Sequence, residues 1–171
     1  APLITITDVT GDILEGTTLT DNGSIDFTDL DLTDLPTASA VNTSVNTNVV
    51  GGLTAAQRTD IENAFSISPA VGNDNNGTIN WVYTITEGEL DFLAAGETVT
   101  AVFTITVDDA NGGTDNQAVT INIAGSNDAP VITINDVTGD ILEGTTHTGN
   151  GPVDFTDPYP NDLPPAMPVN Q

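Results

Sequence analysis

Apolar residues in this chain recur at every second position in short runs, with Thr, Asn or Asp between them. That period sets one side of an extended strand against a core and leaves the other in water. Residues 98–107 show it best, with Val99, Ala101, Phe103, Ile105 and Val107 on one face. Residues 78–85 place Ile79, Trp81, Tyr83 and Ile85 together, which makes Trp81 and Tyr83 core residues rather than a sugar-stacking platform. Residues 3–7 and 118–124 predict further strands, 13–20 a weaker one, and 40–50 a strand pair or a ragged edge. Turn signals fall at 21–23, 75–77 and 111–113. Short strands punctuated every ten or so residues (roughly 8–12) predict an all-β sandwich.

One stretch departs from this period. Residues 53–65 have helical spacing, Thr54 and Gln57 form a capping-box pair, and Ile61, Ala64 and Phe65 share an apolar face. They predict one short helix at an end of the sandwich.

The chain also repeats itself. Residues 1–18 (APLITITDVTGDILEGTT) return as 129–146 (APVITINDVTGDILEGTT), and 29 of 43 positions agree at a constant offset of 128. A period of that length is a domain, not a short solenoid unit. Residues 1–128 therefore read as a complete β-sandwich repeat and 129–171 as the first third of another. That third has no Trp strand, helix or closing strands, so alone it leaves strand edges open. It is a piece of a longer chain, a disordered segment, or half of a domain that completes an identical subunit by strand addition and builds a fibre.

Charge narrows the function. The chain has 25 acids against one basic residue, Arg58, for a net charge of −24. Phosphate recognition needs clustered Lys and Arg, so nucleic acid and anionic membrane surfaces are excluded as partners. No apolar run is long enough to insert in a membrane as a helix. Cys is absent, so neither disulfides nor thiol chemistry are available. The single His147 aligns with Leu19 in the first copy, and no nucleophile set or phosphate loop is present, so the chain reads as a non-enzyme. The acidity has two readings. Acidic loops bind divalent cations, chiefly Ca²⁺, through oxygen ligands; alternatively, a saline habitat or a solubility requirement selects an acidic surface.

Three segments together carry a family likeness: Gly77-Thr78-Ile79-Asn80-Trp81-Val82-Tyr83, Leu93-Ala94-Ala95-Gly96-Glu97-Thr98, and Phe103-Thr104-Ile105-Thr106-Val107-Asp108-Asp109 with Asn111-Gly112-Gly113. With the helical stretch 53–65, they resemble a VCBS-type repeat of large bacterial RTX-type surface adhesins. The linker Asn127-Asp128-Ala129-Pro130 is similar to those of cadherin-like domains. The resemblance implies an Ig/cadherin-like antiparallel β-sandwich with one short helix. It implies a secreted or cell-surface protein of a bacterium, serving adhesion, biofilm or filament structure, with calcium at the junctions between repeats. No glycine-rich RTX nonapeptide is present.

Through the same resemblance, Asp29 and Asp31 form a D-x-D facing the N-terminal junction of their domain, and Asp108 and Asp109 join that end. Glu15 is directed toward the C-terminal junction, where Asn127 and Asp128 lie. The second copy keeps the counterparts Glu143, Asp136 and Asp157 but has Tyr159 in place of Asp31, which breaks the D-x-D there; Asp154 or Asp162 is a possible substitute. The competing reading of each acid is a solvated turn residue. A different function, a carbohydrate- or ligand-binding accessory sandwich of a secreted protein, needs an exposed aromatic platform built from residues such as Phe27, Phe92 or Tyr159.

Overall fold

The structure, a computed structural model, describes residues 1–134 and 153–156. The chain divides into two compact units, Ala1–Ser126 and Asn127–Gln171.

In the first unit the alternating runs form β1 (Leu3–Ile6), β2 (Thr10–Leu14), β3 (Thr20–Thr28), β4 (Thr37–Thr47), β5 (Phe65–Ser68), β6 (Asn76–Thr84), β7 (Thr98–Asp108) and β8 (Thr114–Ala124), with α1 (Ala55–Asn63) between β4 and β5. One four-stranded sheet has the order β1-β3-β6-β5 and the other β2-β8-β7-β4. The order β1-β3-β6-β5 matches the A-B-E-D order and β8-β7-β4 the G-F-C order of an immunoglobulin-like sandwich, with β2 added beside β8. All pairings but one in this unit are antiparallel. The chain leaves the first sheet after Ile6 and joins the second at Thr10 without reversing, so β2 runs parallel to β8. The antiparallel sandwich expected from the sequence is present, with this one parallel edge added to it.

The inward faces are those the alternation predicts. Val99, Ala101, Phe103, Ile105 and Val107 of β7 are buried against Ile79, Trp81 and Tyr83 of β6 and Val119, Ile121 and Ile123 of β8. Three boundaries differ from the sequence reading, one of them the turn expected at 75–77, where Asn76 and Gly77 already belong to β6. Residues 13–20 are not one strand: β2 ends at Leu14, and Leu14 and Thr18 close a turn. Residues 21–23 are not a turn but the middle of β3, where Gly23 sits opposite Trp81. A Cβ on Gly23 would lie 2.6 Å from the indole ring. The glycine is there because the ring lies over the backbone. Gly77 faces Phe27 in the same sheet by the same device. Residues 40–47 belong to one long edge strand, β4, which carries a bulge between Asn42 and Ser44, and 48–50 lie beyond it. A bulge on an open edge discourages pairing with another chain.

The helix starts where its cap predicts. The Thr54 hydroxyl accepts from the Gln57 N–H, and the Gln57 side chain accepts from the Thr54 N–H at 2.8 Å. Ile61 is its buried residue, while Phe65 belongs to β5 and stacks on Phe103 with ring centroids 4.2 Å apart. Thr54→Ala removes the hydroxyl half of the box and leaves the backbone N–H that donates to Gln57. It is expected to lower the unfolding free energy by about 1 kcal/mol, read as a shift in urea midpoint at constant slope.

Tyr83 fastens the other end of α1. Its hydroxyl donates to the Ile61 carbonyl at 3.2 Å, satisfying one of the acceptors a helix leaves open at its C-terminus. Burial, with a smaller contribution from Glu89, pushes the phenol well above its ordinary value of 10. Stability carried by the neutral phenol is complete below pH 10 and is lost as pH rises through the raised folded value. Tyr83→Phe is expected to cost about 1–3 kcal/mol near neutral pH. It also removes the late-titrating phenol from an alkaline absorbance titration.

In the second unit, β9 (Val131–Ile134) pairs antiparallel with β10 (Val153–Thr156). Val131 faces Thr156 as Leu3 faces Thr28, and Ile132 faces Phe155 as Ile4 faces Phe27. The sequence repeat is thus a structural repeat with the same strand register.

Candidate cation sites at the two ends of the sandwich

Strand β8 runs the length of the first unit, eleven residues, about 36 Å at the usual rise. At its start lie the β7–β8 turn, the beginning of β1 and the end of β3; at its finish lie the ends of β2 and β8. Each end gathers three acids with a carboxylate oxygen apiece, all within 4.8 Å of one another.

At the first end the trio is Asp29, Asp34 and Asp109. Asp29 follows β3 directly, and its side chain is fully buried. Its Oδ1 accepts from the Asp31 N–H at 3.0 Å, while its Oδ2 has no hydrogen-bond donor among the described residues. Asp109 follows β7. Its Oδ1 accepts from the Asn111 N–H at 2.7 Å and the Gly113 N–H at 2.8 Å, in a turn where Ala110 has φ +62°. Those donors, Gly113's first and Asn111's second, hold the carboxyl below the ordinary Asp range. Asp34, half-buried in the loop between β3 and β4, accepts from the Asn111 side-chain amide at 3.0 Å. The Ala1 ammonium lies 3.6 Å from Asp29 Oδ1 and 3.4 Å from Asp109 Oδ2.

The structure brings together Asp29 and Asp109 of the expected set, but not Asp31 and Asp108. Asp31 is exposed, and the Asp108 carboxylate accepts from the Ala110 N–H at 2.8 Å, shaping the turn. Asp34 was not foreseen. Its signal was in the repeat: the second copy replaces Asp31 with Tyr159 but keeps the counterpart of Asp34 as Asp162. Positions 136, 143, 147, 157, 159 and 162 lie outside the described residues, while Asp154 sits in β10.

At the second end the trio is Glu15, Glu87 and Asp91. Glu15, just past β2, is 1% exposed, and its Oε2 accepts from the Ser126 N–H at 2.8 Å. Glu87 opens a single 3₁₀ turn (Glu87–Glu89) and accepts from the Gly16 N–H at 3.0 Å. Of these, the sequence pointed only to Glu15. Asn127 and Asp128 belong to the second unit, where the exposed Asn127 amide donates to the Asp128 carbonyl at 2.9 Å.

Both trios offer hard oxygen ligands, the chemistry that divalent cations such as Ca²⁺ use. Arg58, the one basic side chain, pairs with Glu62 on α1 at 3.9 Å. Of the residues named for an aromatic platform, Phe27 is buried, Phe92 packs partly buried against the core, and Tyr159 lies outside the described residues. Among the described residues no helix is long and apolar enough to cross a membrane.

No protein-family model and no curated protein matches this chain. Among solved structures it is similar to the periplasmic chaperone SfaE, at 10% identity and a TM-score of 0.39 over 73% of this chain and 57% of that one. It is also similar to a PapD-like domain of human CEP192, at 12% identity and a TM-score of 0.41 over 72% of this chain and 84% of that one. A third likeness is to AggA, the major subunit of aggregative adherence fimbriae type I from Escherichia coli, at 14% identity and a TM-score of 0.37 over 73% of this chain and 94% of that one. The chain thus spans 57% of the length of SfaE. Its assignment as an immunoglobulin-like sandwich rests on the strand order.

Proposed function

We propose that this chain is a non-enzymatic structural repeat of a secreted or cell-surface bacterial adhesin or filament, stiffened by Ca²⁺ at the ends of its sandwiches. Its partners are neighbouring repeats of the same chain or identical subunits. The observation that carries the calcium reading is Asp29, a fully buried carboxylate whose Oδ2 faces no donor while Asp34 and Asp109 converge on it. Acidity selected for solubility places charges in water and has no use for a buried one. A bound divalent cation supplies the missing charge and the missing contact. The tandem register, the absence of Cys and the resemblance to VCBS-type repeats support the adhesin part.

In a tandem chain the Glu15 end of one repeat is followed in sequence by the Asp29 end of the next. Calcium there removes the repulsion between acidic ends and leaves the linker stiff. The test is calorimetric titration of Ca²⁺ into chelator-treated protein. Saturable binding is expected, weakened at least about tenfold by Asp29→Asn. Absence of any heat at millimolar Ca²⁺ contradicts the reading.

A further inference from the structure

Asn111 is not an acid, lies in a turn, and touches two of the three converging carboxylates, that of Asp109 through its backbone N–H and that of Asp34 through its side-chain amide. Its backbone N–H donates to Asp109 Oδ1 at 2.7 Å, and its amide nitrogen donates to Asp34 Oδ1 at 3.0 Å and to the Asp109 carbonyl at 3.2 Å. Asp34 and Asp109 sit on loops 75 residues apart in sequence, the β3–β4 loop and the β7–β8 turn. Two like charges on separate loops repel, and without a donor between them Asp34 swings into water. The turn is built to present this donor: Ala110 takes the left-handed region at φ +62° and Gly112 at φ +101°. An L residue rarely accepts that conformation unless its surroundings require it. Asp29, in the same trio, keeps a buried Oδ2 that no donor reaches among the described residues.

We infer that Asn111 is the positioning residue of this site: it holds Asp34 in reach of Asp29 and Asp109 and so sets the affinity for a divalent cation. The inference rests on the calcium reading of the same trio. Groups that orient metal ligands by hydrogen bonding commonly change affinity about 10- to 100-fold when removed.

The experiment is Ca²⁺ titration of the whole chain by calorimetry for the parent, Asn111→Ala, Asp34→Ala and the double variant. Trp81 emission and a chelator melt check that each one folds. Asn111→Ala is expected to bind about tenfold more weakly or worse. In the Asp34→Ala background, the same change is expected to cost almost nothing further, because its acceptor is gone. A purely structural role makes the two losses multiply. If Asn111→Ala fails to fold, Asn111→Ser, which keeps the backbone donor but cannot reach Asp34, is measured against the same criteria. Parent-like affinity in the Asn111 variant, or multiplying losses, overturns the inference while leaving the calcium reading intact. No binding by the parent overturns both.

Discussion

Trp81→Ala is expected to lower the unfolding free energy by about 3–5 kcal/mol, the range for removing a buried large aromatic. Trp81 is 0% exposed, its indole N–H donates to the Asp8 carbonyl at 2.7 Å, and its ring lies against Gly23 in the neighbouring β3 and Gly11 in β2 of the other sheet. Truncation leaves a cavity, an unsatisfied Asp8 carbonyl and two strand glycines with nothing to cover them. The partner change makes the argument sharper. Gly23→Ala places a methyl where the ring now stands, an overpacking expected to cost about 1–3 kcal/mol. In the Trp81→Ala background that methyl has room, so the cost of Gly23→Ala should vanish or reverse. Urea unfolding of the four proteins, followed by far-ultraviolet circular dichroism, gives the cycle. Additive losses would mean that the glycine is there for another reason.

The second large effect changes sign with calcium. Asp29 is a buried carboxylate beside two others. Without a cation, neutralising it relieves repulsion and the desolvation of a charge, so Asp29→Asn is expected to melt no lower than the parent in chelator. With calcium present, the same substitution removes a charged ligand and lowers stability by about 1–3 kcal/mol. A variant that is destabilised equally in both buffers would mark Asp29 as a turn-shaping residue only.

Much of the sandwich was legible because strand alternation is a local signal. The faces of β6 and β7 and the capping box at Thr54 follow from spacing alone. What was not legible depends on neighbours far away in sequence. Asp21-Asn22-Gly23 has turn composition, and only the indole 58 residues on explains why it lies in a strand. The parallel β2–β8 edge requires knowing that a strand changes sheets after Ile6. The acidic ends divide the same way. Asp29, Asp109 and Glu15 sit directly after strands, where the chain direction fixes which end they reach. Asp34, Glu87 and Asp91 lie further into loops, and loop geometry decides their place. The internal repeat held the clue to Asp34, since Asp162 keeps its position while Tyr159 abandons that of Asp31.

The central claim is that these converging carboxylates hold calcium and that calcium holds the fold. A thermal melt of the whole chain followed by Trp81 fluorescence, in saturating Ca²⁺ and in excess chelator, tests it most directly. At a free concentration about 100 times the dissociation constant, binding to one site adds about 2.7 kcal/mol. For a domain of this size that raises the melting temperature by roughly 10 °C. Melts that coincide in the two buffers would contradict the account.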